Sequence, residues 1–439
     1  MRSVGVLSLG CKVNTYESEF VINELKNNGY EIKKFNEICD VYIINTCTVT
    51  NTSDIKSRKM IRNAIKRNPD ACVVAMGCFI EANKDLEIPG LDIIIGNKDK
   101  SKIVSILNEW FLKKNIIKKL YSEEKNYFED MYITDFPGRT RAFVKIQDGC
   151  ENFCSYCIIP YVRGKCRSKA KDKVISEITS LVKNGYKEIV LTGIHTGNYG
   201  VDLDTNFANL LKDIIKIPNL YRLRISSIEI TELTEEVLEI IKNSNIIVNH
   251  LHIPLQAGSD EEFFYYGVRM GINDEILKRM MRKYDLNYFF KKIKDIKSIR
   301  PSISISTDVI VGFPGESNSL FEETIKTCQA LEFSKIHVFP YSERKGTKAA
   351  TLDNSVLISE RKLRARKLLE ISKELEIKYM NKFIGSEVEV LIEETKDGYS
   401  YGHTDNFLYV KIKHLLEHNT FIKVNITDVI YPYCIGKIK

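Results

Sequence analysis

The sequence predicts an α/β protein in three parts: an N-terminal parallel α/β sheet, a central open (βα)6 barrel and a small C-terminal antiparallel β-barrel. Three observations carry this reading. Short apolar runs alternate with helical patterns over the first hundred residues, which is the mark of βαβ units and a parallel sheet. The alternation resumes at Arg141 and repeats six times. After a last helix, the chain changes to short alternating runs separated by turn residues, the pattern of a small barrel.

The first part takes its strands from Val4–Leu9, Val41–Asn45, Cys72–Met76 and Leu91–Ile95, with helices over Glu17–Asn27 and Ile55–Lys66. Lys98–Lys119 reads as an amphipathic, lysine-rich helix, and Tyr121–Pro137 as a polar crossing into the next part. The barrel strands are Ala142–Ile146, Glu188–Thr192, Leu220–Ser226, His250–Leu255, Ile303–Val311 and Lys335–Phe339. A helix over Glu360–Asn381 precedes runs at Glu387–Ile392, Phe407–Ile412 and Phe421–Val429, with turns expected at Asp397-Gly398 and near Gly402. The expected domains are 1–120, 136–375 and 380–439.

A net charge of +7 on 439 residues is too small to identify a nucleic-acid binder by itself. Basic clusters occur at Arg58 to Arg67, Arg163 to Lys169 and Arg361 to Lys367, and each taken alone is read more simply as a solvated face. No long uncharged apolar run suggests a membrane span, and no secretion signal follows Met1-Arg2. Eleven cysteines, an odd number, argue for a reducing, cytoplasmic setting and for metal or redox duty over a disulfide framework.

Those cysteines carry the chemistry. Cys150, Cys154 and Cys157 form a CxxxCxxC triplet in Gln147-Asp-Gly-Cys-Glu-Asn-Phe-Cys-Ser-Tyr-Cys157. Three thiolates suit three irons of a cubane cluster and leave the fourth iron open to a ligand. Cys166, in Arg163-Gly-Lys-Cys-Arg167, supplies a fourth thiolate, so a tetrahedral zinc site is the alternative. A second set lies upstream, where Leu-Gly-Cys11, Asn-Thr-Cys47 and Met-Gly-Cys78 each follow a strand. Ligands of open α/β sheets gather beyond the carboxyl ends of strands, so these three make a second cluster site. Cys39, Cys72, Cys328 and Cys434 fit the commonest role of free cysteine, a small buried hydrophobe.

The triplet spacing resembles the radical S-adenosylmethionine (SAM) signature, and the whole chain resembles the radical SAM methylthiotransferase family. Leu9-Gly-Cys-Lys-Val-Asn14-Thr-Tyr-Glu17 is similar to the branch acting on N6-threonylcarbamoyladenosine at position 37 of tRNA, beside the anticodon. Phe136-Pro-Gly-Arg-Thr-Arg-Ala-Phe143, Cys157-Ile-Ile-Pro-Tyr-Val-Arg-Gly164, Thr307-Asp-Val-Ile-Val-Gly-Phe-Pro-Gly-Glu316 and His337-Val-Phe-Pro-Tyr341 look like family motifs. Gly402-His-Thr-Asp-Asn-Phe-Leu-Tyr-Val410 resembles the TRAM domain, an RNA-binding barrel. The resemblance implies two 4Fe-4S clusters, one on Cys150, Cys154 and Cys157 that cleaves SAM, and one on Cys11, Cys47 and Cys78 that carries sulfur.

By the same resemblance SAM contacts are Tyr156, Thr192, Gly193, Ser227, Glu229, Gln256, Asp308 and Gly312, while no side chain is assigned as acid or base. His195 is a loop histidine near them, and Tyr399, Tyr401 and Phe407 are aromatics available for stacking on RNA. The implied partners are the tRNA anticodon stem-loop and a flavodoxin- or ferredoxin-type electron donor. Three alternatives stay open: methylthiolation of isopentenyladenosine in tRNA, methylthiolation of a ribosomal-protein aspartate, and an iron-sulfur RNA-binding protein without turnover. The sequence departs from the family pattern after Asp260, where about a dozen extra residues including Phe263-Phe-Tyr-Tyr266 form an added loop.

Overall fold

The structure, a computed structural model, describes residues 1–120, 127–259, 263–265, 268–270 and 275–438. The first part is a six-stranded parallel sheet. Its elements are β1 (Ser3–Ser8), α1 (Lys12–Asn27), β2 (Glu31–Lys33), β3 (Val41–Thr46), α2 (Asn51–Arg67), β4 (Cys72–Gly77), α3 (Cys78–Ala82), β5 (Ile93–Ile95), α4 (Ile103–Lys113) and β6 (Ile117–Lys119). The strand order is β2-β1-β3-β4-β5-β6. Every residue of β3 and β4 is buried, as expected of central strands covered on both faces. α2 starts where Thr50 accepts a hydrogen bond from Ser53 N through its side chain, an N-cap.

The lysine-rich helix expected over Lys98–Lys119 is shorter. Lys114 takes a left-handed conformation and ends α4, after which Ile117–Lys119 joins the sheet edge with Ile117 buried. The polar crossing is also packed. Residues 121–126 lie outside the described residues, but Met131, Ile133 and Phe136 are buried. The Met131 carbonyl accepts hydrogen bonds from Tyr16 and Lys169.

The second part starts at β7 (Arg141–Lys145) and β8 (Gln147–Asp148), which pairs antiparallel with β9 (Arg167–Ser168) around α5 (Ile159–Arg163). Then come α6 (Lys171–Lys183), β10 (Glu188–Thr192), α7 (Phe207–Ile214), β11 (Arg222–Ile225), α8 (Glu235–Asn243) and β12 (His250–His252). Antiparallel β13 (Phe263–Tyr265) and β14 (Val268–Met270) mark the added loop; its Tyr266 lies outside the described residues. α9 (Glu275–Arg279), α10 (Leu286–Ile299), β15 (Ser304–Val311), α11 (Asn318–Ala330), β16 (Lys335–Pro340) and α12 (Ile358–Asn381) complete it. The parallel sheets β7-β10-β11 and β12-β15-β16 meet through bridges such as Ser227 to His252. Six strands thus stand in chain order as an open barrel.

The third part is a closed barrel of β17 (Glu387–Lys396), β18 (Tyr399–His403), β19 (Tyr409–Ile412), β20 (Phe421–Ile430) and β21 (Tyr433–Lys437). Four seams are antiparallel, but β19 pairs with β21 in parallel. Asp397 and Gly398 make the expected tight turn, both at positive φ, the conformation that fits a two-residue hairpin. Gly402 lies inside β18 opposite Val410 and forms no turn. One continuous core runs from β1 and α1 through the open barrel to Leu375, while the closed barrel keeps its own.

Candidate metal centres and the cavity between them

β1, β3 and β4 are neighbours in the sheet, and Cys11, Cys47 and Cys78 emerge beyond their carboxyl ends. Cys11 caps the start of α1, Cys47 follows β3 directly and Cys78 opens α3. Gly10 has φ +91°, and a side chain there would place Cβ 2.6 Å from Cys47 Sγ, so the turn that delivers Cys11 requires glycine. Cys39 and Cys72 are buried at the opposite edge, before and at the start of their strands.

The second triplet sits in a loop held by its backbone. Cys150 N donates to Gly164 O at 3.1 Å, Ser155 N to Met280 O at 3.0 Å and Ala349 N to Ser155 O at 2.7 Å. Gly149, at φ +80°, runs so close to the returning strand that a Cβ would meet Lys165 O at 2.0 Å. His195 approaches Cys150 Sγ at 3.9 Å through Nδ1 and pairs with Glu232 at 2.5 Å through Nε2. Burial opposes protonation of this imidazole, but hydrogen bonds to Cys150, Cys166 and Glu232 outweigh it and raise the pKa.

Arg163, at the end of α5 after the second triplet, reaches the first set. Its guanidinium is fully buried and donates to Cys78 Sγ at 3.3 Å, Asn14 at 2.8 Å, Glu17 at 3.1 Å and Asp148 at 2.9 Å. Lys145 adds 2.8 Å pairs to Glu17 and Asp148, and Lys100 also pairs with Glu17. The basic run Arg163 to Lys169 is therefore largely internal wiring, with Arg163, Arg167 and Lys169 all buried. In α2, by contrast, Arg58, Lys59, Arg62 and Lys66 are exposed.

Tyr156, Cys157, Gln256 and Asp308 share a cavity of about 160 Å³ with Ile310 and Phe339. Glu229 stands beside it, paired with Arg282, whose Nη1 also reaches Cys154 Sγ at 3.2 Å and the Tyr156 hydroxyl at 3.4 Å. Thr192 is buried at the end of β10, Gly193 packs on Gln147 and Ser227 bridges to His252. Gly312 packs against Arg361 at the turn after β15 and does not line this cavity. A groove of about 1190 Å³ opens at Cys11 and Cys47. Its walls Val49, Thr50, Phe339, Pro340, Tyr341 and Ser342 are also walls of the smaller cavity.

Residues 144–328 match the radical SAM superfamily and residues 3–96 the uncharacterized protein family UPF0004. Threonylcarbamoyladenosine tRNA methylthiotransferase MtaB of Bacillus subtilis is 40% identical, over 100% of this chain and 96% of that one. The MtaB of Thermotoga maritima is 36% identical over 90% and 87%. The chain belongs to the tRNA methylthiotransferase family. A tRNA-2-methylthio-N(6)-dimethylallyladenosine synthase of Clostridium botulinum is 35% identical over 88% and 85%. The radical SAM methyltransferase TsrM of Kitasatospora setae, 14% identical with a TM-score of 0.53 over 77% and 75% of the two chains, shares the fold.

Members of this family use SAM and 4Fe-4S clusters, and the geometry suits a cluster better than a single ion. Zinc–sulfur bonds of about 2.3 Å bring tetrahedral ligands within about 4 Å of one another. Among the described residues, the set of three such donors all within 4.8 Å of one another is His252, Asp308 and His337, and neither cysteine triplet is drawn that tight. Cluster use across the family disfavours the zinc alternative; Cys166 Sγ contacts Gly149 O and Asn198. Burial pushes Cys47 up to about 11 and Cys157 up to about 12, so binding iron through these thiols releases protons.

Arg282 belongs to no sequence motif, and Arg163 reads in the sequence only as part of a basic run and a family motif, because a buried role depends on distant partners. Arg163→Gln should destabilise the chain by about 3–5 kcal/mol, since Glu17 and Asp148 stay buried after losing a partner. A thermal midpoint unchanged from wild type would show that the hub is not structural.

Proposed function

We propose that this methylthiotransferase adds a methylthio group to C2 of N6-threonylcarbamoyladenosine at position 37 of tRNA. The observation that carries the reading is the shared wall between the two cysteine sites: Val49, Thr50 and Phe339 to Ser342 line both the cavity at Cys157 and the groove at Cys11 and Cys47. On this reading Cys150, Cys154 and Cys157 hold the SAM-binding cluster and Cys11, Cys47 and Cys78 the sulfur-carrying cluster. When bound, these groups and SAM supply the one-electron chemistry and the sulfur that no side-chain acid or base provides.

The protein's own residues position and enclose. Tyr156, Gln256 and Asp308 line the space for SAM, and Arg282 fixes Tyr156, Glu229 and Cys154 relative to one another. Thr192, Gly193 and Ser227 end the strands around it. The groove at Cys11 is large enough for a nucleoside. Reduction comes from a flavodoxin- or ferredoxin-type donor. Reconstituted protein given SAM, a reductant and anticodon stem-loops should convert threonylcarbamoyladenosine and leave isopentenyladenosine unchanged. Conversion of isopentenyladenosine instead would favour the activity named for the Clostridium botulinum relative.

The closed barrel serves RNA on this reading. Lys411 lies 4.0 Å over the Tyr399 ring, and Tyr401 packs beside Tyr399, Tyr409 and Tyr433. Phe407 stacks on His250 yet stays 38% exposed. Deleting the barrel is a poor test of RNA binding, because Arg141 pairs with Glu393 at 2.6 Å and Arg222 donates to His403 O. Point changes are cleaner. Tyr401→Ala should weaken tRNA binding about tenfold by loss of one stacked base, and Lys411→Ala should lower the salt slope by about 1. Unchanged affinity and slope in a salt titration of both would place the RNA elsewhere.

A further inference from the structure

The open barrel holds a second cavity beneath the first. It measures about 420 Å³, and its walls include Lys12, Arg141, Arg224, His250, His252 and His337. The closed barrel floors it with His403 and Phe407. The two cavities are stacked along one lumen. On β15, Ser304 and Ser306 face the lower chamber while Asp308 and Ile310 face the upper cavity; on β16, Lys335 and His337 face the lower and Phe339 the upper. A layer of His252, Asp308 and His337 divides them, with His252 Nε2 3.3 Å from Asp308.

Most charges in the chamber are answered. Arg141 pairs with Glu393, Lys335 with Glu376 and Arg224 Nε with Glu188. Lys12 is not answered: its side chain is exposed to the chamber, and it has no hydrogen bond or ion pair among the described residues. Arg224 Nη2 and His250 Nδ1 are buried without a hydrogen-bond partner. Buried donors are nearly always paired, so the orphaned Arg224 Nη2, on the same walls as the unpaired Lys12 ammonium, calls for an anion in this cavity.

Given the function proposed above, on which this step rests, we infer that the chamber receives the carboxylate of the threonylcarbamoyl arm, with Lys12 as its cation. That arm ends in a carboxylate and a hydroxyl, whereas an isopentenyl arm is wholly apolar. A site built with polar groups for a polar arm rejects an apolar one strongly, because its own groups would then be left unpaired. Lys12 also follows Cys11 directly in the chain, so an arm held by Lys12 keeps the base beside the first cysteine set. An RNA phosphate offers the same anionic oxygens, and the test separates the two sources.

Full-length protein with both clusters reconstituted is titrated with stem-loops carrying threonylcarbamoyladenosine or its carboxamide, which lacks the negative charge and has an NH2 donor in place of one acceptor oxygen. Binding is read by fluorescence anisotropy and product by mass spectrometry. The wild type should bind the acid about 10- to 100-fold more tightly than the amide, as for a charge-assisted hydrogen bond. Lys12→Met should erase the preference and Lys12→Arg retain most of it. Equal wild-type affinity for acid and amide, with the acid still converted, overturns the inference and leaves the function standing. Lys12→Met weakening both stem-loops equally assigns Lys12 to phosphate and overturns it too. A wild type that never converts the acid stem-loop fails at the proposed function itself. The comparison of acid with amide uses the wild type, so it stands even if a Lys12 variant misfolds.

Discussion

A chain with Cys150, Cys154 and Cys157 all changed to alanine should keep about half its iron and release no 5'-deoxyadenosine from SAM. Half follows from two equal sets of three cysteines, each suited to one four-iron cluster. The loop should survive the change, because Cys150 N, Ser155 N and the Ser155 carbonyl hold it through backbone bonds that alanine preserves. Iron would be counted per chain, and the nucleoside measured under reducing conditions. A triple variant that still cleaved SAM would move the SAM site elsewhere.

Changing Cys11, Cys47 and Cys78 to alanine should give the reverse: SAM is still cleaved and the methylthio product disappears. The two sites are separable in chain and in fold, and their cavities share a wall, so losing one removes the sulfur without emptying the other. Cys39 and Cys72 supply the control. They are buried at the far edge of the same sheet, and alanine there should cost about 1–3 kcal/mol of packing and leave product formation intact. Loss of product in a folded Cys39 or Cys72 variant would mean the wrong thiols were assigned.

The structure places Cys11, Cys47 and Cys78 beyond three neighbouring strands as the sequence expects, because the signals for both cysteine sets are local. A CxxxCxxC spacing needs no tertiary knowledge, and cysteine just after three apolar runs marks the carboxyl edge once those runs are read as parallel strands. The three-part fold was legible for the same reason of period. What the sequence hid depends on distant partners. Arg163, Arg167 and Lys169 read as a solvated basic face, but Glu17 and Asp148 draw the Arg163 side of that run inside, and Glu177 takes Lys169. Arg282 has no motif, and its role appears only when it reaches both Cys154 and Glu229. The edge strands β2 and β6 are three residues each, too short to show a period. Lys12 stands within a sequence motif, but only the closure of the lumen by the second barrel gives its side chain a place to act.

Nucleoside mass spectrometry of tRNA tests the central claim most directly. A strain lacking this gene should accumulate N6-threonylcarbamoyladenosine with no 2-methylthio derivative, and the intact gene should restore that derivative where the Cys150, Cys154, Cys157 triple variant does not. Tracking of the deletion by loss of 2-methylthio-isopentenyladenosine, or an unchanged set of tRNA nucleosides, would contradict the account.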